Sequence, residues 1–157
     1  MDPPSSISSN YKSACLENKV ESKKQILVEI ESDRYIISDT QPMIVSSLGA
    51  IVKSTGKIRL IHDFSRPSGG LNILTTDTCV KYPTIDNAVT MIKDGSFLAK
   101  VDLKSAYRSV PIHADSFNYT GLQWNFGENL CPTFLYDCRL PFGASRSCRV
   151  FQAITSA

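Results

Sequence analysis

The chain has 157 residues, 42% of them hydrophobic and 20% charged, which excludes a disordered or low-complexity chain and fits one folded domain around one core. No apolar run approaches the roughly 20 residues that span a bilayer, and Met1-Asp2-Pro3-Pro4-Ser5-Ser6 lacks the basic flank and apolar stretch of a secretory signal; an intracellular protein of cytoplasm or nucleus is expected, with no membrane partner. The net charge of +2 is unevenly held, with 5 basic against 7 acidic groups in residues 1–50 and 12 against 8 in residues 51–157, and the later surplus suits a phosphate-bearing partner because each Lys or Arg placed on a phosphate releases a counterion.

Through about Asn18 the chain is polar and serine-rich, which predicts a loose arm over residues 1–18 ahead of a folded region over 19–157. Val20, Ile26, Leu27 and Ile30 fall at helical spacing with Glu21, Lys23 and Lys24 left for solvent, so a surface helix is expected. Residues 44–53 and 57–63 are strand-like and separated by Ser54-Thr55-Gly56, a turn of hairpin length that would project Lys53, Lys57 and Arg59. Residues 67–72 break this pattern, and a loop or short-strand region is expected as far as Tyr82.

Pro83-Thr84 opens a helix with Ile85, Ala88, Val89 and Ile92 on one face, Thr84 as N-cap and Asp94-Gly95 as its stop. Phe97 to Asp102 reads as a short buried strand and Leu103 to Tyr107 as a helical turn, which puts Asp102 where a strand ends. Tyr119 to Trp124 and Thr133 to Cys138 read as a strand pair, and Leu140-Pro141-Phe142-Gly143 turns into a last helix carrying Val150, Phe151 and Ile154. That helix stops without a cap, so a longer natural chain is expected. The five cysteines (Cys15, Cys79, Cys131, Cys138, Cys148) form no CxxC pair and stand at no metal-like spacing from His62 or His113; buried free thiols are expected.

A carboxylate at the end of a buried strand is costly unless a cation meets it, so Asp102 is either paired within the fold or a metal ligand, and position alone leaves both open. The residues that follow it, Leu103-Lys104-Ser105-Ala106-Tyr107, would aim backbone N–H groups and an aromatic ring at anything bound beside it. Lys53 and Lys57 read equally well as a solvated basic turn. Phe142 on its own reads as a core residue.

The stretch Phe97-Leu98-Ala99-Lys100-Val101-Asp102-Leu103-Lys104-Ser105-Ala106-Tyr107 resembles motif A of reverse transcriptases, in which an aspartate is followed five residues later by an aromatic. That resemblance implies that Asp102 binds catalytic magnesium, or manganese in its place, with the backbone of Val101 or Leu103 beside it. It also implies that Ser105 and Ala106 lie near the triphosphate and that Tyr107 excludes the ribose 2′-OH. Hard cations that neutralise a phosphoryl group need such oxygen ligands.

Residues 47–53, 56–65 and Leu71-Asn72 are similar to the fingers hairpin of retroelement polymerases, with Ser47 standing where that pattern usually has proline. By this likeness Lys53 and Arg59 clamp the phosphates of a deoxynucleoside triphosphate, Arg59 holding two oxygens at once, while Lys57 meets nucleic acid. Residues 140–151 are similar to motif B, which implies roles for Phe142 and Gly143 beside the nucleotide and for Arg146 on the nucleic acid. Its Ser147-Cys148, together with residues 10–14, resembles DIRS-type retrotransposons.

The three motifs stand in family order from about Asn10 to Ala157. They imply an α+β fold, the fingers and first part of the palm of a right-hand polymerase, with mostly antiparallel strands packed on helices. The implied whole is an RNA-directed DNA polymerase of a retroelement. It would extend a primer on an RNA or DNA template, beside further polyprotein parts: the rest of the palm, thumb, RNase H and a tyrosine recombinase. No adjacent Asp-Asp pair occurs in the chain, so the Tyr-x-Asp-Asp hairpin of the family is missing and this fragment is expected not to polymerise alone. Uncovered sheet edges and apolar faces then predict association. The competing expectation is a decayed or co-opted fragment that only binds nucleic acid; a third is an unrelated α/β domain with Asp102 as a paired core carboxylate.

Overall fold

A computed structural model describes residues 6–75, 80–127 and 131–156. Strand β1 (Ser6–Ile7) and a π-helical turn (Ser13–Glu17) lead into helix α1 (Lys19–Glu31) and strand β2 (Tyr35–Ser38). Strands β3 (Ile44–Val45), β4 (Ser47–Val52) and β5 (Ile58–Asp63) follow, then helix α2 (Ile85–Met91) and two 3₁₀ turns (Ala106–Ser109 and Ala114–Tyr119). Strands β6 (Gly121–Trp124) and β7 (Thr133–Asp137) and helix α3 (Ser147–Thr155) complete the chain.

Five strands form one sheet in the order β1-β3-β6-β7-β2, and β4 and β5 form a separate two-stranded ribbon. The long ladders are antiparallel: β6 on β7, β2 on β7, and β4 on β5 from Ser47 opposite Asp63 to Val52 opposite Ile58. The short β1–β3 and β3–β6 pairings are parallel. Architecture is therefore mixed α+β with mostly antiparallel pairing, as expected. Among the described residues no helix is long and apolar enough to cross a membrane.

The core lies where α1, the ribbon and the sheet meet, around Ile26, Leu48, Ile58, Leu122, Trp124 and Leu135. Each fully buried Leu or Ile there contributes about 1.5–3 kcal/mol. The face of α1 that enters this core is Ser22 and Ile26 with Ile30 packed against it, so Ile26 and Ile30 of the expected stripe pack while Val20 and Leu27 remain exposed.

Residues 6–17 are not a loose arm. Ala14 is fully buried, the Asn10 side chain accepts from Leu48 N–H at 3.0 Å and donates to the Gln123 carbonyl at 2.8 Å, and Ser13 Oγ accepts from Ala50 N–H. Polar composition misleads here because serine and asparagine satisfy strand backbone instead of water.

Residues 81–104 behave in the opposite way. Thr84 caps α2 with a reciprocal Thr84–Asn87 capping box, as its position predicts, yet α2 buries none of its residues. Phe97 to Asp102 forms no strand, and Phe97, Leu98 and Val101 are exposed. A strand is held by a ladder partner, and none of the described strands pairs with this stretch. Asp102 therefore does not end a buried strand. Of the cysteines, Cys138 is buried, Cys15 and Cys148 are half-buried and Cys131 is exposed, so the expectation of buried thiols holds for Cys138 alone among these four; Cys79 lies outside the described residues.

Candidate nucleotide site

The β4–β5 ribbon turns through Ser54, Thr55 and Gly56, whose φ of 76° suits glycine, and closes with Lys53 N–H donating to the Lys57 carbonyl at 2.8 Å. Strand alternation buries Ile58 and His62 and turns Arg59 outward. Lys53 and Arg59 thereby line a cavity of about 390 Å³, whose wall also includes Ser105 and Phe142. Residues from three separate sequence motifs thus share one cavity.

Tyr107 is not in the wall itself; it stacks on Phe142, which is, with ring centroids 5.1 Å apart, and packs against Phe151 at 5.2 Å. Ser105, just before the 3₁₀ turn that carries Tyr107, adopts a left-handed φ of 55°, a conformation that costs a non-glycine residue about 1 kcal/mol or more. Gly143 has φ of 111°, and a Cβ there would overlap the His62 carbonyl. Its lack of side chain serves the packing of the 141–145 turn against β5, in addition to any approach of nucleic acid.

Asn72 fixes the same turn from the other side. Its Nδ2 donates to the Gly143 carbonyl at 2.9 Å, and its Oδ1 accepts from Ser145 N–H at 2.8 Å.

Beneath the cavity, Arg108 donates to both carboxylate oxygens of Asp137 at 2.8 and 2.7 Å and to Glu29 Oε2 through two nitrogens at 2.7 and 3.0 Å. Arg34 holds the same Glu29 oxygen at 3.0 Å, and the Arg108 guanidinium lies over the Tyr35 ring. Burial pushes the Asp137 carboxyl up to about 6 against the attraction of Arg108. His62, also in the wall, is driven down to about 3 by burial and stays neutral while Nε2 meets the Gly121 carbonyl at 3.1 Å. Among the described residues the cavity cations without a carboxylate partner are Lys53 and Arg59, because Arg108 is saturated by carboxylates.

Asp102 and Val101 are exposed and are not part of the cavity wall. Asp102 makes no hydrogen bond or ion pair among the described residues, which sets aside the reading of it as a paired core carboxylate. Ala106 is half-buried in the 3₁₀ turn. Lys57 is exposed at the ribbon tip, and Arg146 is exposed beside Arg149 and Val150 in an open groove away from Lys53 and Arg59. Among the described residues no group of three or more His, Cys, Asp or Glu side chains is placed to hold a metal ion.

Sequence reading did not find the Glu29–Arg108–Asp137 cluster, whose members lie up to 108 positions apart in a 157-residue chain and follow no local pattern. Their only signal was an arginine directly after Tyr107.

Neither a protein-family profile nor a curated protein sequence matches the chain. Solved structures do: the native protease-reverse transcriptase of prototype foamy virus is 16% identical with a TM-score of 0.71, over 98% of this chain and 19% of that one. The selenomethionine-labelled CSH mutant of the same viral protein is 17% identical, with the same score and coverage. This chain spans about one fifth of the foamy virus chain. Similarity at this identity concerns fold alone, and the fold of this chain is mixed α+β and reverse-transcriptase-like.

Proposed function

We propose that the chain carries the fingers and first part of the palm of a retroelement RNA-directed DNA polymerase, and that the cavity receives the phosphates of a deoxynucleoside triphosphate. The observation that carries this reading is the convergence of Lys53, Arg59, Ser105 and Phe142 on one cavity within a reverse-transcriptase-like fold. Two cations on the ribbon that have no acidic partner among the described residues suit a polyphosphate, with Arg59 able to grip two oxygens. Tyr107 lies outside the cavity wall, behind Phe142, and its role in excluding a sugar 2′-hydroxyl is proposed from the motif alone.

The exposed Asp102 carboxylate, without a partner among the described residues, suits magnesium or manganese, since a hard cation accepts one carboxylate together with substrate phosphates and water. Asp102, with Val101 next to it in sequence, would hold the ion outside the cavity wall, and a bound ion would supply charge neutralisation at a phosphate that reaches it. Lys57 and Arg146 are assigned to primer and template, and the rest of palm, thumb, RNase H and recombinase to other parts of a polyprotein of DIRS type.

One observation favours a narrower role for this chain alone. Asp102 has no partner carboxylates among the described residues, so triphosphate and nucleic-acid binding without polymerisation is the activity expected of it. Calorimetric titration with dATP and magnesium tests the reading: binding is expected, weakened roughly tenfold in Arg59→Ala by loss of a charge-assisted contact. Equal affinity in wild type, Lys53→Ala and Arg59→Ala would remove the cavity from the argument.

A further inference from the structure

Asn72 stands where the segment leaving β5 meets the turn that carries Phe142. Its N–H donates at 3.0 Å to the carbonyl of Phe64, a fully buried residue that directly follows β5. Its side-chain amide uses both hydrogens, one on Ser65 Oγ at 3.1 Å and one on the Gly143 carbonyl at 2.9 Å, while Oδ1 accepts from Ser145 N–H at 2.8 Å. Thr75 repeats the tie, its hydroxyl meeting the Asn72 carbonyl at 3.0 Å and Ser145 Oγ at 2.9 Å. Gly143 directly follows Phe142, so these bonds join the end of the ribbon to the residue beside that ring. Phe142 is 40% exposed, so stacking on Tyr107 leaves part of it open, and it lines the cavity together with Lys53 and Arg59.

We infer that Asn72 is a positioning residue that sets Phe142 against the ribbon cations, so that the cavity holds the nucleoside of a bound nucleotide as well as its phosphates. The inference rests on the proposed nucleotide site. The division follows from chemistry: Lys53 and Arg59 suit phosphate oxygens, whereas Phe142 offers apolar surface to a nucleoside and nothing to a phosphate. Gly143 abuts the His62 carbonyl, which limits how near the turn comes to β5, and the Asn72 bonds limit how far it retreats.

The test is calorimetric affinity of the full chain for dATP and for inorganic tripolyphosphate, each with magnesium, with the ratio of the two as readout. Wild type is expected to bind dATP the more tightly, and Phe142→Ala to lower that ratio roughly fivefold or more by removing apolar surface. Asn72→Ala removes the three side-chain bonds. Asn72→Asp keeps an acceptor for Ser145 N–H but sets a carboxylate oxygen against the Gly143 carbonyl. Both are expected to melt within about 8 °C of wild type, because the bonds they alter are exposed. Both are also expected to lower the ratio roughly threefold or more while tripolyphosphate affinity stays within about twofold, since misplacing a wall residue harms only the part of the ligand that meets it.

A purely structural asparagine has no means of separating the two ligands, so an unchanged ratio in either Asn72 variant, or an equal loss for both ligands, would overturn the inference. Should wild type bind tripolyphosphate as tightly as dATP, the phosphate reading stands and the positioning role alone fails. Should wild type bind neither, the nucleotide reading itself fails and the positioning role falls with it.

Discussion

Replacing Arg108 by methionine tests how much of the fold depends on one buried ion pair. Asp137 is 2% exposed and Arg108 9% at their side chains, so removal strands a carboxylate that keeps only the Arg139 N–H at 3.1 Å. Glu29 loses less, because it is 21% exposed and retains Arg34. An uncompensated buried charge costs about 3–5 kcal/mol, a large share of the roughly 5–15 kcal/mol that holds a domain together. The melting temperature should fall by about 6–20 °C at pH 8.

The loss should also depend on pH. Burial already lifts the folded Asp137 to about 6, above its model-compound value of 3.8, and deleting Arg108 removes the attraction that opposes burial, so the carboxyl rises further. A group raised on folding lends stability that is complete below its unfolded value and lost as pH rises through its folded value. The gap between variant and wild type should therefore widen from pH 5 to pH 8 in urea denaturation. A gap that stays constant with pH, or a fall of less than about 2 °C, would refute the reasoning from a stranded charge.

Two further outcomes follow from local geometry. Gly143→Ala meets the His62 carbonyl and a φ of 111°, so it should destabilise by about 2–4 kcal/mol in urea melts; an effect below about 1 kcal/mol would mean that the 141–145 turn and β5 are not in contact. Thr84→Ala should cost the α2 cap about 1 kcal/mol, speeding amide exchange over residues 85–91 about fivefold. Because α2 buries nothing, the melting temperature should not change.

Much of this protein could be read from local pattern. The ribbon, α2 with its Thr84 cap, the β6–β7 pair and α3 all appear close to where alternation, turn residues and capping place them, because each is governed by neighbours in sequence. Lys53 and Arg59 were legible as projecting from a hairpin for the same reason. Local pattern failed where a partner was decisive. Phe97 to Asp102 has the residues of a strand but no ladder, whereas Asn10 and Ser13 look like a loose arm yet cap the backbone of β4.

Tertiary structure decided what sits together. It brought Lys53, Arg59, Ser105 and Phe142 around one cavity, locked Gly143 against His62, and joined Glu29, Arg108 and Asp137 beneath them. Periodicity reports which face of an element is apolar, but ion pairs and cavity walls depend on how elements cross in space, and that is settled only when the core packs.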